Sequence, residues 1–273
     1  MRIIDSHQHT NWQGKRTPEL VAYLDRSGVD KAWLLSWESL DGGREPHYLH
    51  LSIDDVFDAA AQYPDRFLVG AGPDPRRENA PELLQRYHRD GARVYGEIKL
   101  RVLMDTPELI LMFRWAGRLG MPVVFHVDLP VCRGDRVGLW YLGEPDAVER
   151  ALAKCPETNF VAHGPGWWAH ISGDRKGYEA VYPDGPVVSG GQVIRLLEKH
   201  PNLYCDLSGT SGFNALTRDP GFGRRFLLDF QDRLLYGADQ FDTRVLDHLR
   251  TLDLPGEACG KILAGNALKL VPA

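Results

Sequence analysis

The chain has no apolar run long enough to cross a bilayer. Its longest, near Leu109–Phe113 and Pro122–Val127, end after a handful of residues, whereas a spanning helix needs about 20. Cysteine is scarce: Cys132, Cys155, Cys205 and Cys259 are the four among 273 residues. None forms a C-x-x-C pair, which excludes a zinc ribbon or a thioredoxin-type motif and reads as reduced, mostly buried thiols. A basic excess is also missing. With 32 Lys and Arg against 37 Asp and Glu the net charge is −5, and a nucleic-acid partner usually needs a basic face. No low-complexity tract or linker interrupts the chain. Met1-Arg2-Ile3-Ile4-Asp5 meets a carboxylate too early for a signal peptide. The expectation is a cytoplasmic protein with no membrane and no nucleic-acid partner.

What is present is a repeated alternation. Short apolar, β-rich runs occur at Arg2–Ser6, Lys31–Ser36, Phe67–Ala71, Val94–Leu100, Val123–Val127, Phe160–His163, Leu203–Leu207 and Leu234–Gly237. Amphipathic stretches with helical period separate most of them: Pro18–Ser27, Ile53–Tyr63, Pro81–Arg89, Pro107–Leu119, Asp146–Lys154, Gln192–His200, Phe222–Phe230 and Thr243–Leu252. Thr17-Pro18 and Thr106-Pro107 read as helix starts, and Gly28, Gly91 and Gly120 as helix stops. Eight strand–helix units in one chain predict a distorted (β/α)8 TIM barrel, one domain over residues 1–273. An open doubly wound sheet is the alternative. A long segment after the sixth strand, Gly164–Gly190, is rich in Gly, Pro, Trp and Tyr and reads as a loop over the active site.

Barrel enzymes carry their chemistry where strands end. His7 and His9 lie two residues apart at the end of the first run, so a strand would aim both imidazoles one way. His126 ends the fifth run, His163 the sixth, and Asp239 follows the eighth. On the fourth, Glu97 and Lys99 share one face and Val94, Ile98 and Leu100 the other. Two charges facing a barrel interior need a metal, or each other. Asp239 also has the position of a cap for the next helix. His47, His50, His88, His170, His200 and His248 fall in helices or loops and read as solvated.

Taken together, Asp5-Ser6-His7-Gln8-His9, Val124-Phe125-His126, Val161-Ala162-His163-Gly164, Tyr204-Cys205-Asp206-Leu207-Ser208, Tyr236-Gly237-Ala238-Asp239 and Ile262-Leu263-Ala264-Gly265-Asn266-Ala267 resemble the amidohydrolase superfamily. The resemblance is to the amidohydrolase-related branch that includes the aminocarboxymuconate-semialdehyde decarboxylase type. It implies that His7, His9, His126 and Asp239 bind one divalent metal, usually zinc, and that His163 is a catalytic acid/base, with Asp239 able to shuttle a proton. The Gly96-Glu97-Ile98-Lys99-Leu100 stretch departs from that pattern. It is similar to a segment of TatD-type metal-dependent hydrolases whose glutamate bridges two metals, and a carboxylated Lys99 would be another bridge. One ion is expected, with Glu97 as an additional ligand.

The expected activity is a metal-activated water attacking an amide, lactone or ester of a small substrate. Non-oxidative decarboxylation of an aromatic or enoic acid is the alternative. A TatD-like nuclease and a non-catalytic barrel rank below both. Trp12, Trp37, Trp167 and Trp168 are expected on mouth loops against a planar substrate, with Lys99 and Arg101 also among the substrate-binding residues and Arg101 or Arg133 holding a carboxylate. Arg218-Asp219 reads as a loop-fixing pair. Relatives often form dimers, so a homo-oligomer is possible.

Overall fold

The computed structural model describes residues 1–40, 50–129, 140–174 and 176–272. Eight strands form where the apolar runs predict them: β1 Ile4–Gln8, β2 Lys31–Leu35, β3 Phe67–Ala71, β4 Val94–Ile98, β5 Val123–His126, β6 Phe160–His163, β7 Leu203–Asp206 and β8 Leu234–Leu235. Each pairs in parallel with the next, in the order β1 to β8. β8 is too short to complete a ladder with β1. The turn behind it closes the ring instead: Ser6 N donates to Tyr236 O at 2.9 Å and Asp239 N to His7 O at 2.9 Å. The fold is therefore a nearly closed (β/α)8 barrel rather than an open sheet.

The helices are α1 Thr17–Ser27, α2 Ile53–Gln62, α3 Ala80–Arg89, α4 Pro107–Arg118, α5 Pro145–Lys154, α6 Pro165–Ala169, α7 Lys176–Glu179, α8 Gln192–Lys199, α9 Gly209–Thr217, α10 Pro220–Asp229, α11 Arg244–Thr251, α12 Gly256–Gly260 and α13 Asn266–Leu270, with a π-helical turn, Lys261–Gly265, before α13. None of these is long and apolar enough to cross a membrane. α1 ends as expected on Gly28 at φ 71°. The long segment after β6 holds α6 and α7. Arg218 fixes it by donating to Gly185 O at 2.9 Å and Asp184 O at 2.8 Å. Asp219 accepts from Val187 N at 3.1 Å and caps α10 through Phe222 N at 3.1 Å. These two residues hold the loop by separate bonds rather than as a mutual pair.

Apolar packing occupies two shells. Between strands and helices lies the larger one, including Tyr95, Ile98, Leu100, Phe113, Phe125, Phe160 and Trp167. Inside the barrel a smaller cluster joins Ile4, Trp33, Leu35, Val94, Val124, Val161, Tyr204 and Leu235 to Ala264, Ala267, Leu270 and Val271. The chain's last helices thus plug the interior, anchored by Asn266 Nδ2 donating to Gln231 O and Leu234 O, both at 2.7 Å. Val94 belongs to this inner cluster, contrary to the expectation that it packs outward with Ile98 and Leu100. The reason is a register shift between Tyr95 and Ile98, which changes which residues face inward part-way along β4. A similar shift between Asp5 and Gln8 lets Ile4 and His7, an odd number of residues apart, both face inward.

The free thiols Cys155 and Cys205 are buried and Cys259 partly so; Cys132, His47 and Arg133 lie outside the described residues. His170 and His200 are 3% and 8% exposed, so the solvated reading fails for these two. His170 is held by Gly166 O at 2.7 Å and by edge contact with Tyr178.

Candidate metal centre and active site

Above the apolar plug the strand ends turn polar. His7, His9, Glu97, His126, His163 and Asp206 are all at most 3% exposed. His7 Nε2 and His9 Nε2 face each other at 3.2 Å. Asp239 Oδ1 lies 3.4 Å from His9 Nε2 and 3.7 Å from His7 Nε2. Glu97 reaches the same pair, Oε2 at 3.5 Å from His9 and Oε1 at 3.8 Å from His7. One donor atom each from His7, His9 and Asp239, or from His7, Glu97 and His163, fall within 4.8 Å of one another. His126 joins through Glu97: its Nδ1 is 2.8 Å from Oε1, while its Nε2 faces Asp128 Oδ2 at 3.5 Å.

The donor set asks for a cation. The other nitrogen of His9, Nδ1, lies 2.9 Å from Leu35 O. A carbonyl only accepts, so that nitrogen carries the proton and Nε2 presents a lone pair. His7 Nδ1 meets Asp206 Oδ2 at 2.8 Å, which orients its Nε2 in the same way. Two lone pairs therefore face one point that two carboxylates also face. Glu97 Oε2 is buried with no hydrogen-bond partner, although Lys99 Nζ stands 3.7 Å away. A divalent ion fits this set; protons are the only other way to satisfy it.

The ionisation of the cluster says the same. Burial opposes a charged imidazole at His7, yet Asp206, Asp239 and Glu97 outweigh it and hold its pKa well above the ordinary value. For His163, burial is again overcome by Asp206, and the pKa rises to about 9. Burial would push the carboxyls up. Lys99 and His126 hold Glu97 well below the ordinary value, His163 and His7 do so for Asp206, and the facing histidines do so for Asp239. Asp5 has no such neighbour in excess, and burial lifts it to about 7.

Asp206 ties the centre together. Oδ2 takes His7; Oδ1 takes His163 Nδ1 at 2.9 Å, Ser208 N at 3.1 Å and the Ser208 hydroxyl. His163 Nε2 then points across at Asp239 Oδ2, 3.5 Å away. Asp239 itself sits at φ 56°, a strained angle for a non-glycine residue, fixed by its N–H on His7 O and by Ala238 N on Asp5 Oδ1 at 3.0 Å. Nothing in the sequence marks Asp206 for this role beyond its place in the Tyr204-Cys205-Asp206-Leu207-Ser208 motif.

A cavity opens on this cluster. Its wall includes Trp12, Trp37, Lys99, His126, His163 and Asp239, together with Tyr182 and the start of α9. Trp12 and Trp37 meet edge to face at 5.2 Å, and Lys99 Nζ lies 4.7 Å over the Trp37 ring. Trp167 and Trp168 are not in the wall. Trp167 is fully buried against Phe125, and Trp168 donates its Nε1 to Asp206 O at 3.2 Å. Both follow His163-Gly164 into α6, which turns their rings into the outer shell, so they support the site instead of lining it. Arg101 is also outside the wall; its guanidinium lies 4.8 Å over Tyr141.

Gly164 makes that turn possible. Its φ is 104°, and a Cβ there would lie 2.5 Å from Val127 O and 3.1 Å from His126 Nε2. Gly164→Ala should destabilise the fold by about 2–3 kcal/mol through strain and overlap. Gly28→Ala, where φ is 71° and the space is open, should cost only about 1 kcal/mol. Urea unfolding of both variants checks this; equal losses would mean that the crowding at Gly164 has no energetic weight.

The comparisons with known proteins agree with the fold. A TIM-barrel protein of Bordetella bronchiseptica superposes with a TM-score of 0.68 at 18% identity, covering 99% of this chain and 98% of that one. A probable 2-pyrone-4,6-dicarboxylic acid hydrolase of Acinetobacter baumannii gives 0.64 at 15%, covering 99% of each chain. The 5-carboxyvanillate decarboxylase of Sphingomonas paucimobilis gives 0.62 at 14%, covering 98% of each. No curated protein matches the sequence. The family model described as Amidohydrolase matches residues 4–273, and the chain belongs to that family.

Proposed function

We propose that the protein is a metal-dependent hydrolase of a lactone, ester or amide bond in a small substrate. The carrying observation is the division of Asp239: Oδ1 faces the His7–His9 pair and Oδ2 faces His163. A divalent ion, Zn2+ by the mixed imidazole and carboxylate set, would be held by His7, His9 and Asp239, with Glu97 as a further ligand that His126 orients through its Nδ1. When bound it would supply Lewis acidity, polarising a carbonyl oxygen and bringing the pKa of water to about 7. Both candidate ligand groups draw on His7, and Asp206 occupies its other nitrogen, which favours one ion over two.

The chain's own groups then move the protons. Asp239 takes one from the attacking water on its Oδ1 side. His163, kept protonated on Nδ1 by Asp206 and Ser208, exchanges a proton at Nε2 with Asp239 and delivers it to the leaving group. Trp12, Trp37 and Tyr182 wall the cavity against a flat substrate.

A second reading, decarboxylation, has one observation in its favour: Lys99 in the wall over Trp37, a fixed cation for a carboxylate. The solved neighbours include both a hydrolase and a decarboxylase. A panel of lactones, esters, amides and aromatic acids, followed by proton release and by carbon dioxide evolution, separates the two. Hydrolysis is expected, with Asp239→Asn lowering kcat by about 10²–10⁴ while metal content is measured in parallel. Carbon dioxide without hydrolysis would transfer the assignment to the decarboxylase. Full activity in metal-free His9→Ala would end both.

A further inference from the structure

We propose that the N-terminus of α9, together with the Ser211 hydroxyl, is the subsite for a carboxylate carried by the substrate. The proposal deepens the hydrolase reading and rests on it, but it is testable by binding alone.

The first turn of a helix leaves N–H donors that a side chain at the preceding residue usually takes. Here that residue is Ser208, and its hydroxyl is committed to Asp206 and His163 Nδ1, so it caps nothing. Gly209 N donates to Ala238 O at 3.0 Å and Gly212 N to Ser208 O at 3.3 Å. The N–H groups of Thr210 and Ser211, between them, have no acceptor among the described residues. The same backbone lines the catalytic cavity. A Cβ on Gly209 would be 3.4 Å from Asp239 Oδ2 and 3.7 Å from His163 Cε1, so the helix starts directly beside the proton-moving pair.

The second observation is Ser211 itself. It is 5% exposed and lines the cavity, yet its hydroxyl makes no hydrogen bond among the described residues. Thr210 differs: its hydroxyl accepts from Arg244 Nη2 at 3.3 Å. The Ser211 hydroxyl opens to the cavity beside two unused N–H groups, so water or a ligand must satisfy these donors. An anionic oxygen satisfies all three donors, and the positive end of the helix dipole favours charge there over a neutral amide. A carboxylate placed on α9 would leave the scissile group of the same molecule to face His163 and Asp239.

The test is calorimetric titration of the purified protein, with and without added Zn2+, using benzoate and its neutral isostere benzamide. Benzoate should bind more tightly than benzamide. Ser211→Ala should reduce benzoate affinity by about ten- to a hundredfold, the loss of one hydrogen bond to a charged group, and leave benzamide unchanged. Ser211→Asp, which puts a carboxylate into the first turn and suits a helix start, should fold normally and abolish benzoate binding. Equal affinities for the two probes, no benzoate binding at millimolar concentration, or an unaltered Ser211→Ala would overturn the subsite. Tighter binding of inorganic phosphate than of benzoate would overturn the carboxylate assignment. If the protein takes up no metal, the hydrolase reading fails on its own, while the benzoate–benzamide difference still decides the subsite.

Discussion

Asparagine in place of Asp206 should lower kcat/KM by about 10³ at limiting metal, although Asp206 is fully buried and lies outside the candidate ligand groups. The carboxylate accepts on both oxygens: Oδ1 from His163 and twice from Ser208, Oδ2 from His7. An amide keeps one acceptor. With three donors on the Oδ1 side, the amide oxygen stays there and the NH2 turns to His7 Nδ1. That nitrogen must then accept, which moves the ring proton to Nε2 and removes the lone pair facing the centre. Loss of such a supporting partner costs about 10–100-fold in metal affinity. The weakened electrostatic hold on His163 accounts for the remainder. Excess metal should therefore recover part of the activity. Ser208→Ala leaves both carboxylate–histidine contacts in place and should cost no more than about tenfold. Chelator competition gives the affinities directly, and wild-type affinity in Asp206→Asn would sink the tautomer argument.

The convergence of His7, His9, Glu97, His163 and Asp239 was legible in the sequence because parallel strands in a barrel bring all their C-terminal ends to one rim. The side each residue faces was legible only while the two-residue period held. The shifts in β1 and β4 change that parity, and no residue type announces them, so Val94 was placed on the wrong face. The ring orientation of His126 had no sequence signal either. It follows from Glu97 Oε1 and Asp128 standing on opposite sides of the imidazole. Trp167 and Trp168 follow His163 towards the mouth in sequence, but the backbone at Gly164 turns both rings into the outer shell, away from the substrate face expected for them. α9 has no sequence signal, because Gly209-Thr210-Ser211-Gly212 has the composition of a loop. Its helical form puts the otherwise unused donors at the cavity.

A second large effect should appear in the pH dependence of stability. His163 has a folded pKa of about 9 against an ordinary 6.5, and His7 is raised as well. A group whose pKa rises on folding stabilises fully below its unfolded value and loses that contribution as pH climbs through the folded one. Asp5, at about 7 when folded, likewise costs stability as pH rises from the ordinary carboxyl range towards 7. At the acid end, Glu97, Asp206 and Asp239 are held low. Their contribution is present above the ordinary carboxyl range and fades as pH falls through the folded values. Chelator-treated protein should therefore lose thermal stability steadily between pH 6.5 and 9. A divalent ion replaces the protons on the imidazole lone pairs, so it binds more tightly as pH rises and releases protons as it binds. At a free metal concentration near 100 Kd the gain is about 2.7 kcal/mol, which for a chain of this size is roughly 5–10 °C in Tm. The Tm of the metal-loaded protein should then stay level over the range in which the chelated protein declines, the gap widening towards pH 9. Titration in buffers of different ionisation heat should count the protons displaced. Parallel Tm curves, or metal binding that releases no protons, would mean that the cation does not occupy the point where His7, His9 and Asp239 meet.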